Sequence, residues 1–338
     1  MRSSIQRALG IGILALGVGC GPSSTGQGGD DDDDDDDDSD VDASRGIDEF
    51  ADAAPEAACN KMDIVFIIDD SGSMGEEQTN LAANFQVFAN LINDYRTESD
   101  EPLDYRVAIT TTGRTITIIQ ESPQIPGLPP LPPITTTAVG RNGAFVNTCG
   151  MPRQWLERDD ADMAGKFSCA AAVGINGPGA EMPLYAMELA LVDRIADGTN
   201  GTFLREDALL AVVVLTDEND CSRTDDNITL APFDDADTVL CAPGTAPLMP
   251  VNHFLQTLDT LKGERGRWAS AVIAGPGPGQ CTSAFGDAAE ATRLKEFVTG
   301  AGATSAIFSS ICDGDLASSL TAALDLFQTA CEGFPPIP

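Results

Sequence analysis

Asp69, Ser71 and Ser73, spaced as Asp-x-Ser-x-Ser, put one carboxylate and two hydroxyls on a short loop, and Asp70 adds a second carboxylate. These are hard oxygen donors, suited to Mg²⁺ or Ca²⁺. A phosphate cradle at such a loop uses glycines, backbone N–H groups and often a Lys. No Lys occurs between Asp69 and Met74, and the carboxylates would repel a phosphate unless a cation lay between. The following helix contributes only about half a positive charge at its start, so the carboxylates set the sign of the site. A second acidic run, Thr216-Asp217-Glu218-Asn219-Asp220, could share a cation with the first. It fails the EF-hand pattern, because Cys221 takes the fifth position and no Gly the sixth. Blander readings stand beside these: a solvated Asp/Ser turn capping a helix, and an ordinary polar loop.

Both acidic runs follow strand-like segments. Ile64 to Ile68 is a continuous β-branched and aromatic run, and residues 208–215 (ALLAVVVL) are another. Such runs fit parallel strands buried on both faces. After Gly75 the spacing of Leu81, Phe85, Phe88, Ile92 and Tyr95 predicts a helix, with Glu76 and Glu77 at its favourable amino end. The donors therefore sit at carboxyl ends of strands, where open α/β sheets bind ligands. Further strands are expected at Tyr105–Thr112, Trp268–Ala274 and Thr304–Ile311, with a short one at Ala144–Thr148. Helices are expected at Tyr185–Ile195, His253–Leu261, Asp287–Val298 and Leu316–Ala330. This alternation predicts an α/β fold with a doubly wound, mostly parallel open sheet.

With these residues, the chain resembles the von Willebrand factor A-type (VWA) domain family over about residues 59–331. DIVFIIDDSGSM matches the family's metal-ion-dependent adhesion site (MIDAS) signature at Asp69, Ser71 and Ser73, and VVVLTDEND matches its distal aspartate at Asp217. The resemblance implies a Rossmann-like VWA fold in which the serines and a threonine contact the cation. The aspartates would act through water, and an open position would take an acidic group from a partner. In the stretch corresponding to the threonine loop, Gly174 to Leu184, this chain has Glu181 instead. A third carboxylate would partly neutralise the cation and weaken its pull on an acidic partner.

Residues 113–180 break the rhythm after the second strand, beginning with an alternating strand-like segment, Thr115–Gln120, then passing through QIPGLPPLPPI, which is too rich in Pro for helix or central strand. This insertion is expected either to overhang the site as a lid or partner-reading surface, or to be a disulfide-tied excursion with no binding role.

The amino end predicts an address. Arg2 and Arg7 precede the apolar stretch Ala8–Val18, and Leu16-Gly-Val-Gly-Cys20 resembles a bacterial lipobox, implying a signal peptide at 1–19 and lipidation of Cys20. Gly21 in place of Asp favours the outer membrane of the cell envelope. Residues 20–58 are expected to be an anchored tether, because the unbroken run Asp30–Asp38 repels itself and offers almost nothing apolar to bury. Residues 59–338 would form the VWA domain. Setting Cys20 aside leaves eight of nine cysteines, an even set. Cys59 with Cys331 would close the domain at the strands' amino ends. Proximity in sequence suggests Cys149–Cys169, Cys221–Cys241 and Cys281–Cys312.

The chain carries a net charge of −34, and −23 without the eleven aspartates between Asp30 and Asp42. Such acidity argues against nucleic acid and anionic lipid headgroups as partners. A zinc cluster is disfavoured, because no C-x-x-C occurs and His253 is the only His. Three functional classes are compatible with these residues. The first is a lipid-anchored domain binding a protein or surface partner through, or near, Mg²⁺ or Ca²⁺. The second is a structural scaffold whose metal only stabilises. The third is an exported metal-assisted hydrolase, for which no nucleophile motif speaks.

Overall fold

The computed structural model describes residues 59–97, 100–234, 239–241, 247–284, 286–314 and 316–335, without the side chains of 79–83. The signal segment, Cys20, the tether and the Leu81 side chain lie outside the described residues.

Strand β1 (Lys61–Ile68) sits at the middle of a six-stranded sheet. It pairs in parallel with β2 (Asp104–Thr111) on one side and with β6 (Leu209–Leu215) on the other. Beyond β6 lie β8 (Trp268–Ala274) and β11 (Ala306–Ser310), also parallel. Beyond β2 the two-residue β5 (Leu156–Glu157) closes the edge antiparallel. The order is β11-β8-β6-β1-β2-β5, so the chain winds outward from β1 in one direction, returns, and winds outward from β6 in the other. Between β1 and β6 the winding reverses, and the carboxyl ends of the two strands open a crevice there.

Alternation along β1 decides the two helical layers. Ile64, Phe66 and Ile68 join one core with α1 (Glu77–Asp94), α2 (Met163–Ala171) and α7 (Leu316–Glu332). Val65 and Ile67 face the other, with α3 (Pro183–Glu188), α5 (Val251–Lys262) and α6 (Thr292–Ala301). A π turn at Leu189–Asp193 carries α3 into the short α4 (Arg194–Ala196). The Phe66 ring meets Phe85, Phe88 and Phe167 edge-on with centroids 5.5, 5.1 and 5.1 Å away, which anchors α1 and α2 to the central strand. Among the described residues no helix is long and apolar enough to cross a membrane.

The insertion begins with the strand expected at Thr115–Gln120, and that strand has two partners the sequence did not announce. Strands β3 (Ile116–Gln120) and β4 (Ile134–Ala138) form an antiparallel hairpin whose loop is the proline-rich stretch, and β3 also pairs in parallel with β7 (Asn227–Leu230). This second sheet packs Ile116, Ile228 and Leu230 on Ala180, Met182 and Cys221, the neighbours of Glu181 and Asp220. Ala144–Thr148 is not a strand. Val146 N–H reaches Ile109 O at 2.7 Å, but Phe145 N–H turns away to Asn200 Oδ1 at 2.9 Å, so no ladder propagates. The helix expected from Asp287 starts at Thr292, because Gly286–Ala288 is β10, paired with β9 (Cys281–Ser283). Tyr95 is extended and lies just beyond α1.

Four disulfides close the described cysteines: Cys59–Cys331, Cys149–Cys169, Cys221–Cys241 and Cys281–Cys312. The first spans 272 residues and ties the start of β1 to the end of α7.

Candidate metal centre

Three strand ends converge on Asp69. Its N–H donates to Leu215 O at the end of β6 (2.9 Å), and Thr112 N–H donates to Ile68 O (3.2 Å). The fully buried Asp69 carboxylate accepts Ser71 N–H (2.8 Å) and the Thr112 hydroxyl (3.3 Å) on Oδ1, and the Thr216 hydroxyl (2.5 Å) on Oδ2. The residues following β1, β2 and β6 thus hold one acid at the point where the winding reverses. The loop then folds into a 3-10 turn at Gly72–Gly75, which sets the Ser71 and Ser73 hydroxyls 2.8 Å apart. Ser73 Oγ donates to Asp217 Oδ1 across the crevice at 3.2 Å. Asp69, Ser71, Ser73 and Asp217 therefore form one hydrogen-bonded set.

Glu181 enters from the loop before α3. Its backbone carbonyl accepts Cys221 N–H (2.8 Å), and Met182 N–H donates to Thr112 O (3.2 Å), which pins the residue between the second sheet and the crest. The side chain is completely buried, its oxygens meet no basic or hydroxyl group, and the carboxyl beside it is that of another acid, Glu218. Burial, then the negative charges of Asp69 and Glu218, push its pKa up to about 10. Asp217 is pushed up to about 8, first by burial and then by Asp69. Asp70, raised to about 6 by burial above all, fits its carboxylate against Gly113 and Gly177. A Cβ at Gly177 would stand 2.2 Å from Asp70 Oδ1. Glu77, at the amino end of α1 as expected, is buried beside the crest with Oε2 unpartnered.

Glu181, Asp217 and Asp70 are each pushed upward by burial and by the charge of Asp69, with Arg141 opposing the shift at Asp70, so the crest is a crowded pocket of acids. Orphaned buried carboxylate oxygens are rare and costly. Two hydroxyls and several carboxylate oxygens are the donor set that a hard divalent cation fits. Among the described residues no three His, Cys, Asp or Glu side chains gather closely enough to hold a metal alone. A cation here would depend on the serine hydroxyls and on water as well as on carboxylates.

Asp220, part of the second acidic run, has a different task. It is fully buried, pairs with Arg293 (3.0 Å), and accepts from Leu184 N–H (3.1 Å) and the Ser222 hydroxyl (2.5 Å). Ser222 Oγ accepts Tyr185 N–H (2.9 Å), so Asp220 and Ser222 together satisfy the free amino end of α3 and fix the loop carrying Glu181. Sequence reading missed Thr112, Thr216, Ser222 and Arg293 as positioning residues. Thr112 and Thr216 each immediately follow a buried strand, which is the signal that could have found them. Ser222 and Arg293 act through tertiary contacts with no local pattern.

No protein-family model matches the chain. No curated protein matches it either. Among solved structures it is similar to proximal thread matrix protein 1 from the mussel byssus, at 12% identity over 79% of this chain and 48% of that one, with a TM-score of 0.40. It is also similar to manganese-loaded Plasmodium vivax TRAP protein (12% identity, 78% and 74% coverage, TM-score 0.37). A third likeness is to the pilus adhesin SpaC from Lactobacillus rhamnosus GG (10% identity, 79% and 30% coverage, TM-score 0.42). Another structure of the mussel protein has a zinc-occupied MIDAS motif. The chain spans about half the length of the mussel protein. At these TM-scores the likenesses carry no weight for the site. The α/β class rests on the sheet order and register of this chain.

Proposed function

We propose that the chain is a VWA-type domain that binds a divalent cation, Mg²⁺ or Ca²⁺, at the β1–β6 crest and engages a protein or surface partner through or near it. Ser71 and Ser73 would supply hydroxyl oxygens directly, Asp69 and Asp217 would hold metal-bound water, and Glu181 would stand where the family's threonine does. The cation would supply positive charge to a pocket of acids. The observation that carries this reading is the buried Glu181 carboxyl, with only the acids Asp69 and Glu218 as charged neighbours and no basic partner. A lipid anchor at Cys20 and an acidic tether over residues 20–58 would display the domain from the bacterial envelope, at the outer membrane. Radiolabelled palmitate incorporated into the wild type and not into Cys20→Ala supports that address, and equal labelling removes it.

The test of the metal reading is thermal unfolding with Mg²⁺, Ca²⁺ or chelator. A ligand that binds only the folded state raises the melting temperature by mass action. The wild type should melt higher with cation and Asp69→Ala should not respond; an unresponsive wild type defeats the reading.

A scaffold role is favoured by one observation, a carboxyl at Glu181 where the family has a threonine. A cation neutralised by three carboxylates has little charge left for an acidic partner. Glu181→Thr separates the two readings. Acetate or a Glu-containing peptide binding the wild type supports adhesion, whereas binding gained only by Glu181→Thr supports the scaffold.

A further inference from the structure

Between β3 and β4 the chain runs from Gln124 to Ile134 as QIPGLPPLPPI, and every residue from Gln124 to Thr137 is exposed. Gly127, at φ +85°, and the bond from Leu128 N–H to Ile125 O (3.1 Å) turn the chain. From Leu128 to Ile134 the sequence is Leu-Pro-Pro-Leu-Pro-Pro-Ile. Prolines 129, 130, 132 and 133 have φ fixed near −65°. Leu128, Pro129, Leu131 and Pro132 each precede a proline and are steered into extended or polyproline II geometry. Each residue from Leu128 to Pro133 falls under one constraint or both.

Polyproline II has three residues per turn, so residues three apart share an edge. Leu128, Leu131 and Ile134 are three apart, and they are 60%, 50% and 66% exposed. The apolar residues therefore form one ridge, with prolines on the other two edges. At the same end of the small sheet, β7 leads into Phe233, which is 88% exposed. Pairing of Gln120 with both Ile134 and Leu230 places these features together.

We propose that Leu128–Ile134 is a preformed polyproline II ligand that docks in an aromatic-lined groove of a partner protein, independently of the crest. Such grooves read proline-rich segments because the ligand loses little conformational freedom on binding. A second copy of this chain is a poor occupant. Phe233 is the one aromatic among the exposed large hydrophobics of the described residues, too little to wall a groove, and a net charge of −34 opposes self-association.

The test titrates the full chain with an isolated WW domain that reads Pro-Pro-Leu-Pro, the sequence of residues 129–132. Saturable binding is expected, weakened roughly tenfold or more in Leu131→Ser and in Pro132→Ala. Both positions are exposed, so circular dichroism and melting temperature should match the wild type. Absence of saturable binding overturns the proposal, as does binding that neither substitution weakens. Sedimentation showing concentration-dependent self-association lost in Leu128→Ser/Leu131→Ser assigns the ridge to a second copy, and also overturns it.

Discussion

Glu181 concentrates the chemistry of the crest because it is the acid whose environment offers it least. Asp69 accepts three hydrogen bonds and Asp217 accepts one, whereas the Glu181 oxygens accept none. Replacing it with Gln removes a buried ionisable group while keeping its shape. Glu181→Gln should therefore raise the melting temperature in chelator and shrink the rise produced by Mg²⁺ or Ca²⁺, both read by calorimetry. The same groups set the pH dependence. Glu181 and Asp217 have folded pKa values near 10 and 8, above their ordinary values, so the folded state keeps protons that the unfolded state has lost. Without cation, the contribution of these two acids to stability should be fully present below about pH 4, fall as pH rises through 5 to 8, and continue falling more slowly toward 10, a dependence that Glu181→Gln should reduce. Saturating divalent cation should flatten that fall between pH 5 and 8, as urea denaturation across pH would record.

At the scale of elements, the strands that carry the crest were legible and their supports were not. Ile64–Ile68 and residues 208–215 announce themselves as unbroken apolar runs, and Trp268–Ala274 matches β8 residue for residue. The hydrogen-bonded neighbourhood of Asp69, Ser71, Ser73 and Asp217 is a consequence of that register, since parallel strands ending side by side bring their next residues together. In the second sheet only β3 was legible, from the alternation over Thr115–Gln120; β4 is four-fifths exposed (Ile-Thr-Thr-Thr-Ala) and β7 is only four residues long, so neither offers an apolar run. Asp220 reads like any other acid of its run, and only the fold buries it under the amino end of α3. The loop before α3 depends on Gly177, whose N–H reaches Asp70 O at 2.6 Å. Gly177→Ala should displace Asp70 or the loop, because no Cβ tolerates an oxygen at 2.2 Å. It should lower the melting temperature by several degrees, for a loss of roughly 1–3 kcal/mol, and reduce the response to cation.

For the whole molecule, charge and covalent closure oppose each other. A net charge of −34 repels itself in the compact state, and four disulfides limit what the unfolded chain gains by opening. Cys59–Cys331 encloses almost all of the described chain at the amino ends of the strands, far along β1 from the crest. Cys59→Ser/Cys331→Ser should lose roughly 2–5 kcal/mol in denaturant unfolding and keep its cation response once folded. The same separation lets the crest be probed without unfolding the sheet beneath it. Isothermal titration of the cation-free protein with Mg²⁺ and Ca²⁺, beside Ser71→Ala/Ser73→Ala, tests the central claim most directly. A metal centre at the crest predicts one saturable site per chain in the wild type, proton release on binding near pH 7, and loss of binding in the double variant with its secondary structure intact. No binding by the wild type, or equal binding by the variant, would contradict it.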